Sequence, residues 1–470
     1  MNTVLIIDDD PLVLKVLGHS MEDSGWKVYS AASGEEGLKL ACEHKPEAII
    51  CDLLMPGING YQVCRKIRAD TAFVTQPRII VISSSNYGTD RETSLAAGAD
   101  DFLLKPVKPS ELLHLLNQES GTTFFFRKSD FDGKRPTSDT SVFSTSIGTK
   151  TRVRFWGVRG SIATPGPHTV KYGGNTTCVE VRADGQLIIL DAGTGIRQLG
   201  RKLAGEFKGK PMDIHMLITH THWDHIQGFP FFIPAYDPKN QITVMGYEGA
   251  KMGLEHSLSS QMESPYFPIA MRQMPSNLKI VEASENEFYI GDIQVKTMFA
   301  NHPGICLGYR LNTSAGSICF FPDNEPHSRL RMAPMGDSVQ SYEVLSYAQK
   351  QDEKLIEFIR DADVLIMDSQ YDATEYKSHI GWGHGCVDDV VAIAVIARVK
   401  KLFLHHHDPD HDDEMIDEMG DWANELVAIH GGETEVEPAR EGLEVVLRRE
   451  RGDLAGSRGK GEKKSAGQEK

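Results

Sequence analysis

The chain has 470 residues, more than one hydrophobic core ordinarily supports, so two domains plus connectors are expected. Its formal net charge of -16 disfavours nucleic acid as a partner, because phosphate binding needs a positive footprint. Seven scattered cysteines without a CxxC pair point to a reduced, cytoplasmic protein, and no apolar stretch or leader pattern suggests membrane insertion or secretion.

From residue 1 to about 120, short apolar runs alternate with amphipathic stretches: TVLIID then PLVLKVLGHSME, EAIICD then YQVCRKIRA, RIIVIS then DRETSLAAG, DFLLK then SELLHLLNQ. This alternation predicts a parallel sheet covered by helices on both faces, with ligands at the carboxyl ends of the strands. Asp8, Asp9 and Asp10 follow the first run, Asp52 ends the second, Ser83 the third, and Lys105 the fourth. Those ends share one sheet edge, so carboxylates at Asp9 and Asp52 suit Mg²⁺, while Lys105 and Ser83 suit the oxygens of a phosphoryl group.

The motifs "IIDDD", "CDLLMPGINGYQV", "VISSS" and "GADDFLLKPVKPSEL" resemble, in order and spacing, the receiver domain of two-component response regulators, a doubly wound, flavodoxin-like fold. The resemblance implies that Asp52 is the phospho-acceptor, Asp8 and Asp9 the acid pair around Mg²⁺, Ser83 the switch hydroxyl, Phe102 the switch aromatic and Lys105 the lysine of the pocket. Leu54 would lend a backbone carbonyl to the metal. A sensor histidine kinase or phosphotransfer protein is the implied partner.

Residues 121–150 are rich in Ser, Thr, Asp, Lys and Gly without an apolar period, which predicts a linker. A second block, 151–450, carries many β-like runs, among them VRFWG, TCVEV, LIILD, ITVMG, IQVKTM, ICFF, VLIMD and LFLH. The last twenty residues, 451–470, are basic and nearly free of apolar mass, as expected of a disordered tail.

Within the second block, "LITHTHWDHIQG" crowds His220, His222, Asp224 and His225 directly after an apolar run. Buried lone pairs at that density call for a cation. His220 and His222, at i and i+2, face one side of an extended segment, and Asp224 and His225 lie past its end, so each pair can serve a separate ion. Further donors sit after other apolar runs: His302 in "MFANHPG", Asp323 in "ICFFPDNEP" and His406 in "LFLHHHDPD". Asp191, in "LIILDAGTG", is expected to orient a ligand or water by hydrogen bonding.

This pattern resembles the metallo-β-lactamase superfamily, whose fold is an αββα sandwich. The resemblance implies that His220, His222 and His302 bind one metal, that Asp224, His225 and His406 bind a second, and that Asp323 bridges them, with His405 held in reserve for His406. β-Lactamases of the two-zinc type commonly carry Cys where Asp323 stands. The carboxylate and the full HxHxDH are instead similar to the phosphodiesterase branch: ribonuclease Z, the phosphonate-pathway cyclic phosphodiesterase and cyclic-nucleotide phosphodiesterases. His384 in "GWGHGCVDD" matches the histidine of that branch's GHS-type signature, with Gly385 in place of the serine.

The resulting expectation is a response regulator with a dinuclear metal-dependent hydrolase output, acting on a cyclic nucleotide or related small phosphodiester. Asp224 would orient the nucleophile, and His384 would protonate the departing oxygen. The donor set suits zinc, manganese or iron alike. Cleavage of a thioester, lactone or β-lactam is the alternative at the same site, a non-catalytic ligand-binding signalling module is the alternative of another class, and homodimerisation stays open. Residues 247–290 supply Met262, Tyr266, Phe267 and Met271, either as an apolar cover over the metals or as core packing.

Overall fold

The computed structural model describes residues 2–84, 88–116, 150–247, 253–264, 266–282, 287–330 and 339–448. The expected linker lies outside them except for Lys150, and the expected tail lies wholly outside them.

Five parallel strands open the fold: β1 (Thr3–Ile7), β2 (Lys27–Ala31), β3 (Ala48–Asp52), β4 (Arg78–Ser83) and β5 (Asp101–Leu104), in the order β2-β1-β3-β4-β5. Helices on both faces bury the central strand completely; every residue of Ala48–Asp52 is buried, which is why that run is continuously apolar up to its acid. The strand order reverses between β1 and β3, so Asp8, Asp9 and Asp52 open on one crevice. Capping sorts the three adjacent acids. Asp10 accepts from the Leu12 amide and starts helix Pro11–Asp23, which leaves Asp8 and Asp9 for the crevice.

The second region is a sandwich of two seven-stranded sheets. One contains β6 (Lys150–Gly157), β7 (Cys178–Ala183), β8 (Gln186–Leu190), β9 (Asp213–Leu217), β10 (Gln241–Gly246) and β11 (Asn277–Glu282). The other contains β12 (Glu287–Ile290), β13 (Ile293–Phe299), β14 (Leu307–Thr313), β15 (Gly316–Phe321), β16 (Val364–Asp368), β17 (Lys401–His405) and β18 (Glu435–Pro438). A final strand, β19 (Glu444–Arg448), returns to pair antiparallel with β6 and completes the first sheet.

Side chains such as Phe155, Val181 and Ile188 from the first sheet meet Tyr309, Phe320 and Phe403 from the second in one buried interior. Helix Ile196–Phe207 covers the outer face of the first sheet; helices Val387–Ile396 and Asp413–Ile429 cover that of the second. The layers are therefore αββα, and the chain as a whole is α/β.

The two regions pack together. The receiver-side core around Leu53 and Met55 is continuous with the sandwich interior. The Tyr247 hydroxyl donates to the carbonyls of Met55 and Gly57, and the Gly304 amide donates to Asp90 Oδ1 at 3.0 Å.

Candidate metal centre and phosphorylation pocket

All seven expected ligands converge at one end of the sandwich, each in the loop that follows a strand or at its last residues. Beyond β9 the chain bends at Thr219 and is extended again at His222, and a one-turn helix, Trp223–Ile226, then swings Asp224 and His225 inward. One group of donors is His220, His222, His302 and Asp323; a second is Asp224, His225 and His406. Asp323 stands between them. Its Oδ2 lies 3.7 Å from His220 Nε2 and 3.5 Å from His302 Nε2, and its Oδ1 lies 3.1 Å from His225 Nε2 and 3.3 Å from His406 Nε2.

These spacings fit donors that share an ion, since two ligands about 2.1 Å from a tetrahedral centre lie about 3.4 Å apart. His220 Nε2, His225 Nε2 and Asp323 Oδ1 are buried and, among the described residues, have no hydrogen-bond partner. Three such atoms facing one another would be costly to bury unless a cation took their lone pairs. The residues present thus fit two divalent ions.

The remaining ring nitrogens are fixed from behind. His225 Nδ1 donates to Asp191 Oδ2 at 2.8 Å, and Asp191 also accepts from the Thr219 amide at 2.7 Å and hydroxyl at 2.9 Å. His302 Nδ1 donates to the Gly383 carbonyl at 2.9 Å, and His406 Nδ1 to Gln370 Oε1 at 3.0 Å. Each bond leaves the other nitrogen's lone pair for a metal, the arrangement that raises ligand basicity.

Asp191 and His406 both hold left-handed backbone, at φ 59 and 63, a strain that the surrounding bonds sustain. Gly160 lies flat against the His406 ring; a Cβ there would come within 2.4 Å of Nδ1. His405 points elsewhere, its Nε2 at 3.3 Å from the Gly157 carbonyl, and His407 bonds the Ala439 carbonyl at 2.8 Å. The structure therefore turns His406, rather than the reserve His405, toward the centre.

Burial is the main influence on these groups. It pushes His220 and His302 well below the usual imidazole range, keeping them neutral and free to ligate. Burial likewise opposes charge on Asp323, but His225, His406 and the other imidazoles overcome it and hold the carboxylate ionised.

His384 stands at the rim of the same centre, 4.0 Å from Asp323 Oδ2. Its Nδ1 donates to Asp368 Oδ2 at 2.9 Å; burial opposes its charge, yet Asp368 and its neighbours lift it to about 9. Asp368 was not among the residues singled out, although it ends the apolar run VLIMD as the other site acids end theirs. Gln370 and Thr219, which fix ligand orientation, carry no comparable signal in the sequence.

The apolar-cover reading of residues 247–290 does not hold. Met262 is fully buried in the core beneath the first sheet, Phe267 and Met271 pack on that core, and Tyr266 is exposed. They occupy this place because helix Leu254–Ser260 needs an apolar floor against β11. The exposed aromatics next to the metal ligands and to His384 are Trp223 and Trp382 instead.

In the first region, Asp8, Asp9 and Asp52 present oxygens within 4.8 Å of one another, as a cation site would require. Lys105 Nζ reaches Asp8 Oδ2 at 2.7 Å and Asp52 Oδ2 at 3.0 Å. Burial raises Asp52, with Lys105 pulling the other way, to about 7. Ser83 is buried at the end of β4, and its carbonyl accepts from the Lys105 amide at 2.7 Å; Ser84 is the hydroxyl residue that lines the open pocket, along with Leu54. Phe102 is half-buried against the core.

Two regions of the chain are similar to known proteins. Residues 4–117 match the response regulator receiver domain, and residues 186–407 match the beta-lactamase superfamily domain. Protein PilH of Pseudomonas aeruginosa is 34% identical over 117 residues, which cover 25% of this chain and 96% of PilH. The transcriptional regulatory protein AfsQ1 of Streptomyces coelicolor is 41% identical over 108 residues, 23% of this chain and 46% of AfsQ1, so the chain spans under half the length of that relative. The metallo-beta-lactamase fold protein YhfI of Bacillus subtilis superposes with 14% identity and a TM-score of 0.44, covering 63% of this chain and 99% of YhfI.

The chain belongs to the response regulator receiver family, with a metallo-β-lactamase-fold domain fused behind the receiver. A receiver implies a phosphodonor such as a histidine kinase, and the second fold, with its clustered donors, implies divalent metal. No helix among the described residues is long and apolar enough to cross a membrane.

Proposed function

We propose that the protein is a response regulator whose output is a dinuclear metal-dependent phosphodiesterase controlled by phosphorylation of Asp52. The observation that carries the catalytic half is Asp323, whose two oxygens address two separate sets of imidazoles. A carboxylate so placed would help to hold both members of a pair of divalent ions.

Ions held by His220, His222, His302, Asp323, Asp224, His225 and His406 would supply an acidified water and polarise a phosphoryl oxygen. The chain's own residues supply the rest. Asp224 Oδ2 lies 3.1 Å from both His225 Nε2 and His406 Nε2 and accepts the Ser161 amide at 2.9 Å, so its carboxylate is fixed where it can orient an attacking water. His384, kept protonated by Asp368, holds the proton that a departing alkoxide needs. At the receiver, an Asp52 oxygen would attack the donor's phosphorus; the bond to the donor breaks, and the leaving group departs with that bond's electron pair.

Metal content by mass spectrometry, with turnover of bis(p-nitrophenyl) phosphate, nitrocefin and a thioester before and after acetyl phosphate treatment, tests this reading. Near two metals per chain, with diester cleavage that responds to acetyl phosphate in the wild type but not in Asp52→Asn, supports it. Lactam or thioester cleavage without diester cleavage overturns the substrate class. Binding of nucleotide without turnover of any substrate overturns the enzyme.

A further inference from the structure

Between the two domains lies a cavity of about 280 Å³. Asp9, Asp52, Leu54, Ser84 and Lys105 form its receiver wall. The facing wall comes from the second domain: residues 300–302, which include the metal-ligand candidate His302, together with His327, Gln351 and Lys354.

Lys354 projects from helix Val339–Ile359 and is exposed. Most lysines so placed are simply solvated. This one borders a cavity whose far side carries Asp9 and Asp52, two of the three clustered carboxylates, and among the described residues it makes no hydrogen bond or ion pair.

Phosphorylation would replace the Asp52 carboxylate charge with a phosphoryl group carrying about -1.5 to -2 and three terminal acceptor oxygens. Lys105 already spans Asp8 and Asp52, so with Mg²⁺ on the acid pair the phosphoryl group would still turn an oxygen toward the opposite wall of the cavity. The cavity has room for the group, and Lys354 faces it from across the domain boundary.

We infer that the cavity is a composite phosphoryl-binding site built by both domains, in which Lys354 of the second domain contacts the phosphoryl oxygens on Asp52. This rests on the reading of Asp52 as phospho-acceptor. The contact ties the phosphorylated receiver to the wall that carries His302, so the two sites share a structural element.

The test uses the full chain titrated with beryllofluoride and Mg²⁺, a mimic of the aspartyl phosphate, with the bound form followed by fluorine NMR. Lys354→Ala should weaken binding about tenfold, the effect of one charge-assisted contact. Lys354→Arg should retain most of the affinity. Lys350→Ala, an exposed lysine of the same helix outside the cavity, should leave it unchanged. Equal affinity of Lys354→Ala and wild type, or equal weakening by Lys350→Ala, overturns the composite site while leaving the Asp52 reading intact. Absence of a Mg²⁺-dependent bound signal in the wild type, or its persistence in Asp52→Asn, overturns the Asp52 reading and the proposal with it.

Discussion

Asp191→Asn isolates what an orienting carboxylate contributes to the metal centre. Asn tolerates the left-handed backbone at this position, where φ is 59, so the chain path survives the exchange. The amide oxygen can keep the Thr219 amide, which Asp191 Oδ1 now accepts at 2.7 Å. The NH2 group then replaces Oδ2, the atom that accepts His225 Nδ1 at 2.8 Å and the Thr219 hydroxyl at 2.9 Å. The hydroxyl can rotate and accept; the imidazole must change tautomer and move its proton to Nε2. That is the nitrogen aimed at Asp224 and Asp323.

A ligand protonated on its coordinating atom is lost, so affinity at the Asp224, His225 and His406 group should fall about 10- to 100-fold, or about 1.4 to 2.7 kcal/mol. The group built on His220, His222 and His302 should hold its ion more nearly as before. Chelator competition with native mass spectrometry resolves the two losses, and thermal unfolding checks the fold. Retention of both metals at wild-type affinity would refute the tautomer argument.

Gly160→Ala should reach the same metal group from the other side. Its Cβ would press on His406, which Gln370 already backs, and a misplaced ligand should lower kcat by at least about tenfold with the fold retained by circular dichroism. His384→Gln should slow diesters with alkyl leaving groups by roughly 10² to 10⁴ but p-nitrophenyl esters far less, since only the former need the proton. The wild type should accordingly lose alkyl-ester activity as pH rises through about 9, the value to which Asp368 lifts His384 against burial. His407 works in the opposite sense. Burial lowers it to about 3, so below the free imidazole value the unfolded chain takes up a proton that the folded chain refuses. Stability should therefore fall as pH drops from about 6.5, by roughly 2 kcal/mol at pH 5 from this group. Denaturant melts of wild type and His407→Asn at the two pH values check it, the variant showing the smaller decline.

Much of this centre was legible because both domains use one rule, an apolar strand followed at once by the residue that does chemistry. The candidate residues Asp8, Asp52, Lys105, Asp191 and His406 sit at or directly after a strand end, Asp323 one residue further on, and the periodicity needed to see this is local. The same rule marked Asp368, which passed unnoticed because its partner lies sixteen residues on, at His384. Choosing among His405, His406 and His407 is beyond periodicity, since what decides it is the left-handed turn at His406. Residues 247–290 read equally well as cover or core, because apolar composition does not say which surface is buried. Lys354 had no signal at all. It is one lysine on an amphipathic helix, and only the packing of one domain on the other gives it a role.

The packing also explains how a receiver could govern an active site without touching substrate. Asp90, on helix Gly88–Ala96 just beyond β4, accepts the Tyr61 hydroxyl and the Gly304 amide through the same oxygen. Gly304 lies two residues past His302. That loop is bonded in turn to the segment after Asp323: Asn301 Nδ2 donates to the Glu325 carbonyl, and the Glu325 amide to the Asn301 carbonyl. Glu325 then accepts the amides of Gly381 and Gly383, and the Gly383 carbonyl holds His302 Nδ1. One hydrogen-bonded lattice thus sets His302, Asp323 and His384 together, with Asp90 at its edge. A shift of Asp90 by a fraction of an ångström would be shared by two candidate metal ligands and the proposed proton donor. Since a misplacement of about 1 Å can cost on the order of 100-fold in rate, small receiver motions suffice.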